Sequence, residues 1–199
     1  MLTNIWQMGT HVERVVSNQT TAIYILCGGA SSRMGKCKAT VIVDGQTMLE
    51  HILQRVAPLD SPTYLVGKPQ QQEQFVRFNI PWISDDTSLF HPLNGLVRGL
   101  EHASKNMLHT ALFLPCDTPF ISTESIQKML IKSPTVAADP KGNVHPLMLH
   151  IPIYWIDRAK NFLRTQSSMK AFAEPAGLVT LSHRCLQNFN QPTDLPNLS

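Results

Sequence analysis

A chain of 199 residues with 43% hydrophobic and 16% charged side chains holds enough apolar material for one packed domain, and its composition is not that of a disordered chain. The formal charge is +3 and there is no long Lys/Arg run, which suits a small anionic ligand and argues against a nucleic-acid partner. Four cysteines without a C-x-x-C pair read as free thiols, no segment reads as a signal peptide or a membrane span, and the expected place is the cytoplasm with no membrane partner.

Residues 1–20 carry no hydrophobic period and are expected to form a loose arm ahead of a single domain over 21–199. The apolar run from Thr21 to Cys27, closed by Gly28-Gly29, predicts a buried strand feeding a loop. Thr47 and Glu50 form a capping-box pattern, followed at helical spacing by Ile52, Leu53 and Val56. A strand at Thr63–Val66, a polar helix from about Gln70 to Phe78 and a short strand at Trp82-Ile83 come next. Asn94–Ser104 reads as a helix, with Asn94 as its cap. Thr110–Leu114 reads as a second buried strand, and Ser122 caps a helix running to about Ile131.

Beyond residue 130, strands are expected near Thr135–Ala138, Pro146–His150 and Leu178–Leu181, with a helix at about Tyr154–Leu163. Strands alternating with helices predict an α/β fold whose mostly parallel central sheet is covered by helices on both faces. Ligands of such sheets bind beyond the carboxyl ends of the strands, where both Gly28–Lys38 and Asp117 fall.

Paired glycines after a buried strand let the backbone approach a bulky anion, and Arg33 and Lys38 place fixed positive charge beside it. The loop is not a P-loop, because five residues separate Gly29 from Gly35 and Cys37 follows Lys36. The G-x-G-x-x-G spacing of dinucleotide folds is absent too. Asp117, just past an apolar strand, has the hard oxygen chemistry of a Mg²⁺ ligand when phosphates supply the remaining donors. The S-x-x-K spacings at Ser125–Lys128 and Ser167–Lys170 lack the companion motifs of a serine nucleophile and read as helix surface.

These residues bring a resemblance into view. Leu26–Lys38 resembles the L-x-G-G-x-x-x-R-M-G-x-x-K signature of the molybdenum cofactor guanylyltransferase (MobA) family. His91–Leu96, Pro115–Pro119, His145–Leu147 and Asn188–Leu195 are similar, in the same order, to four further family segments, so the likeness spans residues 22–195. It implies the Rossmann-like nucleotidyltransferase fold, with a nucleotide-binding half over about 21–130 and an acceptor-binding half over about 131–199. It also implies transfer of GMP from Mg-GTP to the terminal phosphate of molybdopterin or molybdenum cofactor, with release of pyrophosphate. A molybdoenzyme or its chaperone would receive so labile a product.

Carried onto this sequence, the resemblance implies catalytic roles for Arg33, Lys38 and Asp117, with Asp117 on the metal. It implies ligand contacts at Leu26, Gly28, Gly29 and Lys38, at Asp85 or Asp86, and at Asn188 and Asn190. The residues themselves leave alternatives open: Asp85-Asp86 as a solvated turn, Asn188 and Asn190 as turn formers before Pro192, and His145 as a satisfied strand-edge histidine. Three positions depart from the family pattern. Cys37 stands where the family has Asp, His91 where it has Gly, and Asn94 where it has Ala. A transferase using CTP or another phosphorylated acceptor, or a degenerate nucleotide-binding homologue marked by Cys37, therefore also stays open at this point.

Overall fold

The computed structural model describes residues 20–28, 37–85 and 91–189. Residues 1–19 of the arm, and Arg33, Gly29, Asp86 and Asn190, lie outside them. Among the described residues, strand β1 (Thr21–Leu26) sits inside a seven-stranded sheet with β4 (Thr63–Gly67), β5 (Trp82–Ser84), β6 (Thr110–Pro115), β7 (Thr135–Ala138), β8 (Val144–Pro152) and β9 (Gly177–Thr180). The spatial order is β5-β4-β1-β6-β8-β7-β9. All neighbours pair in parallel except at β8, which is antiparallel to both β6 and β7. The expected mostly parallel α/β sheet is thus what the chain forms.

Alternation along β1 explains the layering, since successive side chains of a strand point to opposite faces. Ile23 and Ile25 enter one apolar layer with Leu49, Ile52 and Val56 of helix α1 (Met48–Val56) and Ile126 and Met129 of α3 (Thr123–Leu130). Ala22 and Tyr24 enter the opposite layer, formed by Leu93, Leu96 and Leu100 of α2 (Pro92–Lys105), Ala159 of α4 (Ile156–Arg164) and Phe172 of α5 (Met169–Ala173). Both faces are therefore closed.

Local chemistry sets the helix starts. The Thr47–Glu50 capping box is complete: Glu50 N–H donates to Thr47 Oγ1 at 3.2 Å and Thr47 N–H to Glu50 Oε2 at 2.7 Å. Ser122 caps α3 through the Ser125 amide, as expected.

Several sequence expectations need correction. Asn94 is not a cap: α2 already begins at Pro92, whose fixed φ and missing N–H suit a first helical position, and His91 Nδ1 accepts from Leu93 N–H at 3.2 Å. Pro69–Phe78 winds as 3₁₀ turns rather than as an α-helix. Ser125 is buried in α3, so that S-x-x-K stretch is not all surface. His145 lies in β8, an inner strand of the sheet, not on an edge. The sequence reading also passed over a hairpin of β2 (Ile42–Val43) and β3 (Gln46–Thr47), although its Asp44-Gly45 turn, both at positive φ, is the strongest short hairpin signal.

Candidate functional site

The order of strands reverses at β1: the chain leaves it for β4 on one side and later returns to β6 on the other. Such a switch point opens a crevice beyond the carboxyl ends of the strands. A cleft of about 330 Å³ lies there, with Leu26, Gly28, Lys38, Lys68, Asp85 and Asp117 in its lining. Sequence reasoning named five of those six from three separate stretches, and the fold brings them together.

The floor is set by close approach of backbone. A Cβ on Gly28 would stand 3.1 Å from the Gly67 Cα, so a glycine at the end of β1 eases its close approach to the backbone at the end of β4. Cys27 N–H donates to the Val66 carbonyl at 2.7 Å, and Cys116 N–H to the Leu26 carbonyl at 3.2 Å. These bonds extend the ladders by one residue and fix where Gly28 and Asp117 emerge.

One wall holds Lys38 and Asp117, with Nζ to Oδ2 at 3.1 Å. Asp117 lies two residues past the end of β6, after Cys116. Lys38 opens a 3₁₀ turn, Lys38–Thr40, whose preceding carbonyl on Cys37 accepts from Thr40 N–H at 3.0 Å and Thr40 Oγ1 at 2.8 Å. The opposite wall holds Lys68 and Asp85, 2.9 Å apart and more deeply set, their side chains 15% and 9% exposed. Asp85 is thus not a solvated turn residue.

Three thiols lie beneath the first wall. Cys27, Cys37 and Cys116 are all buried in the α1/α3 layer. Burial, then the neighbouring Cys116, pushes the Cys37 thiol up to about 11, and Cys116, hydrogen-bonded to Cys27 and buried, is held well above the usual thiol range. Cys37 and Cys116 are therefore neutral at pH 7. Position 37 thus holds a small, uncharged, buried side chain next to the Lys38–Asp117 pair.

The remaining sequence candidates are placed as follows. Asn188 is exposed, and its neighbour Phe189 donates its backbone N–H to the Asp117 carbonyl at 3.0 Å, so the C-terminal segment folds back onto the Asp117 loop. His145 stands near Asp139 and His183, and burial lowers its proton affinity. It is absent from the cleft lining, whereas Leu147 of the same strand is present. Lys68 was missed. Its signal was of the kind that marked Asp117, a charged residue one or two positions past the carboxyl end of a buried strand.

The donor chemistry suits Mg²⁺ in one way only. Among the described residues no group of three or more His, Cys, Asp or Glu could hold a metal ion, so these residues build no closed cage. A single cleft carboxylate such as Asp117 fits a hard cation that takes its other oxygens from phosphates and water.

Comparison with known proteins points the same way. A family model described as a MobA-like NTP transferase domain matches residues 23–181. The molybdenum cofactor guanylyltransferase of Acidiphilium cryptum is 35% identical over 143 residues, covering 70% of each chain. That of Haemophilus influenzae is 26% identical over 188 residues, covering 88% of this chain and 96% of the relative. The crystal structure of molybdopterin-guanine dinucleotide biosynthesis protein A from Archaeoglobus fulgidus superposes with a TM-score of 0.69 at 18% identity, over 87% of this chain and 94% of that one; at that identity the likeness speaks for the fold.

Proposed function

We propose that this chain, which belongs to the MobA-like NTP transferase family, transfers GMP from Mg-GTP to the terminal phosphate of molybdopterin or molybdenum cofactor and releases pyrophosphate. The observation that carries the site is the meeting of Gly28, Lys38 and Asp117 beyond the carboxyl ends of two adjacent parallel strands, in one cleft at the switch point. The names of the relatives supply the acceptor and the base.

The residues suit the chemistry. A phosphate monoester is largely dianionic at pH 7, its second pKa being about 6, so it attacks the α-phosphorus without a general base. A new P–O bond forms to the acceptor oxygen, the bond to the β-phosphate bridging oxygen breaks, and pyrophosphate carries away the electron pair. The obstacle is repulsion between polyanions, and cations aimed at the developing charge remove it. Lys38 would hold the triphosphate oxygens, with Arg33 and the amides of Gly28 and Gly29 completing the cradle. Asp117 would hold Mg²⁺, which when bound withdraws charge from the phosphates. Asp85, or Asp86 beside it, would line the nucleoside end with Leu26, and Asn188 and Asn190 the pterin side. On this reading residues of about 21–130 bind the donor and those of about 131–199 the acceptor.

The reaction is placed in the cytoplasm, with the product handed to a molybdoenzyme or its chaperone. Calorimetric titration with GTP, CTP and ATP, each with Mg²⁺, followed by turnover on molybdopterin, tests the proposal. Selective GTP binding and acceptor-dependent pyrophosphate release are the expected results. Preference for CTP would change the product, and no binding of any triphosphate would overturn the assignment.

A further inference from the structure

The two walls of the cleft are joined by one side chain that lies outside the lining. Gln71, in the 3₁₀ segment after β4, accepts the Lys68 backbone N–H on Oε1 at 3.0 Å. Its Nε2 points at the Cys37 sulfur, 3.9 Å away, the length of a weak N–H···S contact. Each contact lies beside a cleft lysine: Lys68 carries the ammonium paired with Asp85, and Cys37 immediately precedes Lys38, whose ammonium is paired with Asp117. The amide occupies space left by Gly67, where a Cβ would come within 3.1 Å of Gln71 Oε1.

Cys37 is suited to its end of the bridge. Its thiol is neutral and buried, and Sγ itself lies 3.9 Å from the Cys27 carbonyl, toward which its S–H donates. Cys27 is fixed in turn by the Val66 carbonyl. A closed path therefore runs from β1 through Cys27, Cys37 and Gln71 to Lys68 at the end of β4. An aspartate at position 37 would bring a carboxylate into this apolar layer, at a desolvation cost that the thiol does not carry.

We infer that Gln71 is a positioning residue for the transfer: through Cys37 it sets where Lys38 stands relative to the Lys68–Asp85 wall. The inference rests on the nucleotidyl-transfer reading above. It adds a residue that touches neither the nucleotide nor the acceptor and acts through the two lysine-bearing segments. Displacing a charged group by a fraction of an ångström weakens its hold on developing charge more than its hold on the ground state.

The test compares Gln71→Glu and Gln71→Met with the parent chain, measuring kcat, KM for GTP, triphosphate affinity by calorimetry and thermal midpoint. Glu keeps an acceptor for the Lys68 amide but loses the donor toward Cys37. Met loses both. The expected result is a fall in kcat of about 10-fold for each variant, with KM for GTP changed by less than about 3-fold. Only Gln71→Met should also lower the thermal midpoint. Combining Gln71→Glu with Cys37→Ala should lower kcat no further than Gln71→Glu alone, because both changes break one path. A parent chain that turns over while Gln71→Glu matches it in kcat overturns the positioning role and leaves the transfer reading intact. A loss of thermal midpoint with unchanged kcat would make Gln71 a helix-start residue only, and would overturn it too. A parent chain that binds no triphosphate overturns the transfer reading and this inference together.

Discussion

The two walls of the cleft carry the same pair of residue types but are built by different means. Lys68 and Asp85 each come one residue after neighbouring parallel strands, and the register that sets Gly67 opposite Ser84 fixes their separation before any side chain is considered. Lys38 has no strand beneath it. A 3₁₀ turn anchored by Thr40 and a buried thiol holds it, and it meets an aspartate that the sheet positions. The sheet-built wall is the more buried one, with side chains 15% and 9% exposed against 24% and 18%. The sheet thus fixes one wall, and on the proposed reading the other keeps its cation where it can change partner from carboxylate to phosphate.

Substitution should separate the walls. Lys38→Ala and Asp117→Ala act on the adaptable wall, and each should lower turnover by about 100- to 1,000-fold, the range for removing a group that stabilises transition-state charge. Their unfolding free energy should change by no more than about 1 kcal/mol, because the pair is partly solvated. Steady-state kinetics beside chemical denaturation would show this, and a large stability loss for either would erase the contrast. Asp85→Ala should do the reverse in stability, losing about 3 kcal/mol, since it leaves the Lys68 ammonium in a buried wall without its carboxylate. Denaturant midpoints measure that loss.

Gly67→Ala probes the junction of the walls. Its Cβ would come 2.7 Å from the Trp82 ring, which is stacked on Phe75 and is not free to swing away. A loss of about 2 kcal/mol is expected by thermal unfolding. The smallest effect concerns a residue remote from both walls. His150 is buried, and its Nδ1 faces the carbonyls of Met129 and Lys132 at 3.0 and 2.7 Å, so Nδ1 carries the proton. Its Nε2 is buried with no hydrogen-bond partner among the described residues. Burial lowers its pKa from 6.5, a shift that the two carbonyl contacts oppose. A lowered histidine pKa means the unfolded chain binds the proton first. Its contribution to stability is therefore full above about pH 6.5 and is lost as the pH falls below it. Thermal midpoints should drop between pH 7.5 and 5.5, and His150→Phe should flatten that slope while leaving kcat unchanged. An unchanged slope in that variant would assign the effect to other histidines.

How far the sequence could be read follows from which forces were local. The run Thr21–Cys27, the Thr47–Glu50 box, Ser122 and Asp117 are marked by residues a few positions apart, and each was legible. Lys68 carried the same local mark as Asp117 and was passed over, whereas Gln71 was not legible, because its importance exists only once β4 is laid beside β1 and β5. The reversed direction of β8 left no mark, since an antiparallel inner strand buried on both faces has the same apolar run as a parallel one. The start of α2 was misplaced because Asn94 has the chemistry of a cap, while Pro92 and His91 set the start two and three residues earlier. Asp85 is now placed on a buried wall, whereas Asp86, Arg33, Gly29 and Asn190 fall outside the described residues.

The single reversed strand also bears on how such a scaffold diversifies. Because β8 runs against its neighbours, the short connection Asp139–Asn143 between β7 and β8 turns over at the same rim as the cleft, closed by the Asp139 carboxylate on the amides of Lys141 and Asn143. Insertions in that connection would reshape the rim on the side of β7 to β9, while the registers of β1, β4, β5 and β6 stay as they are. A lineage could trade one acceptor for another by lengthening a hairpin, with the handling of the triphosphate inherited unaltered.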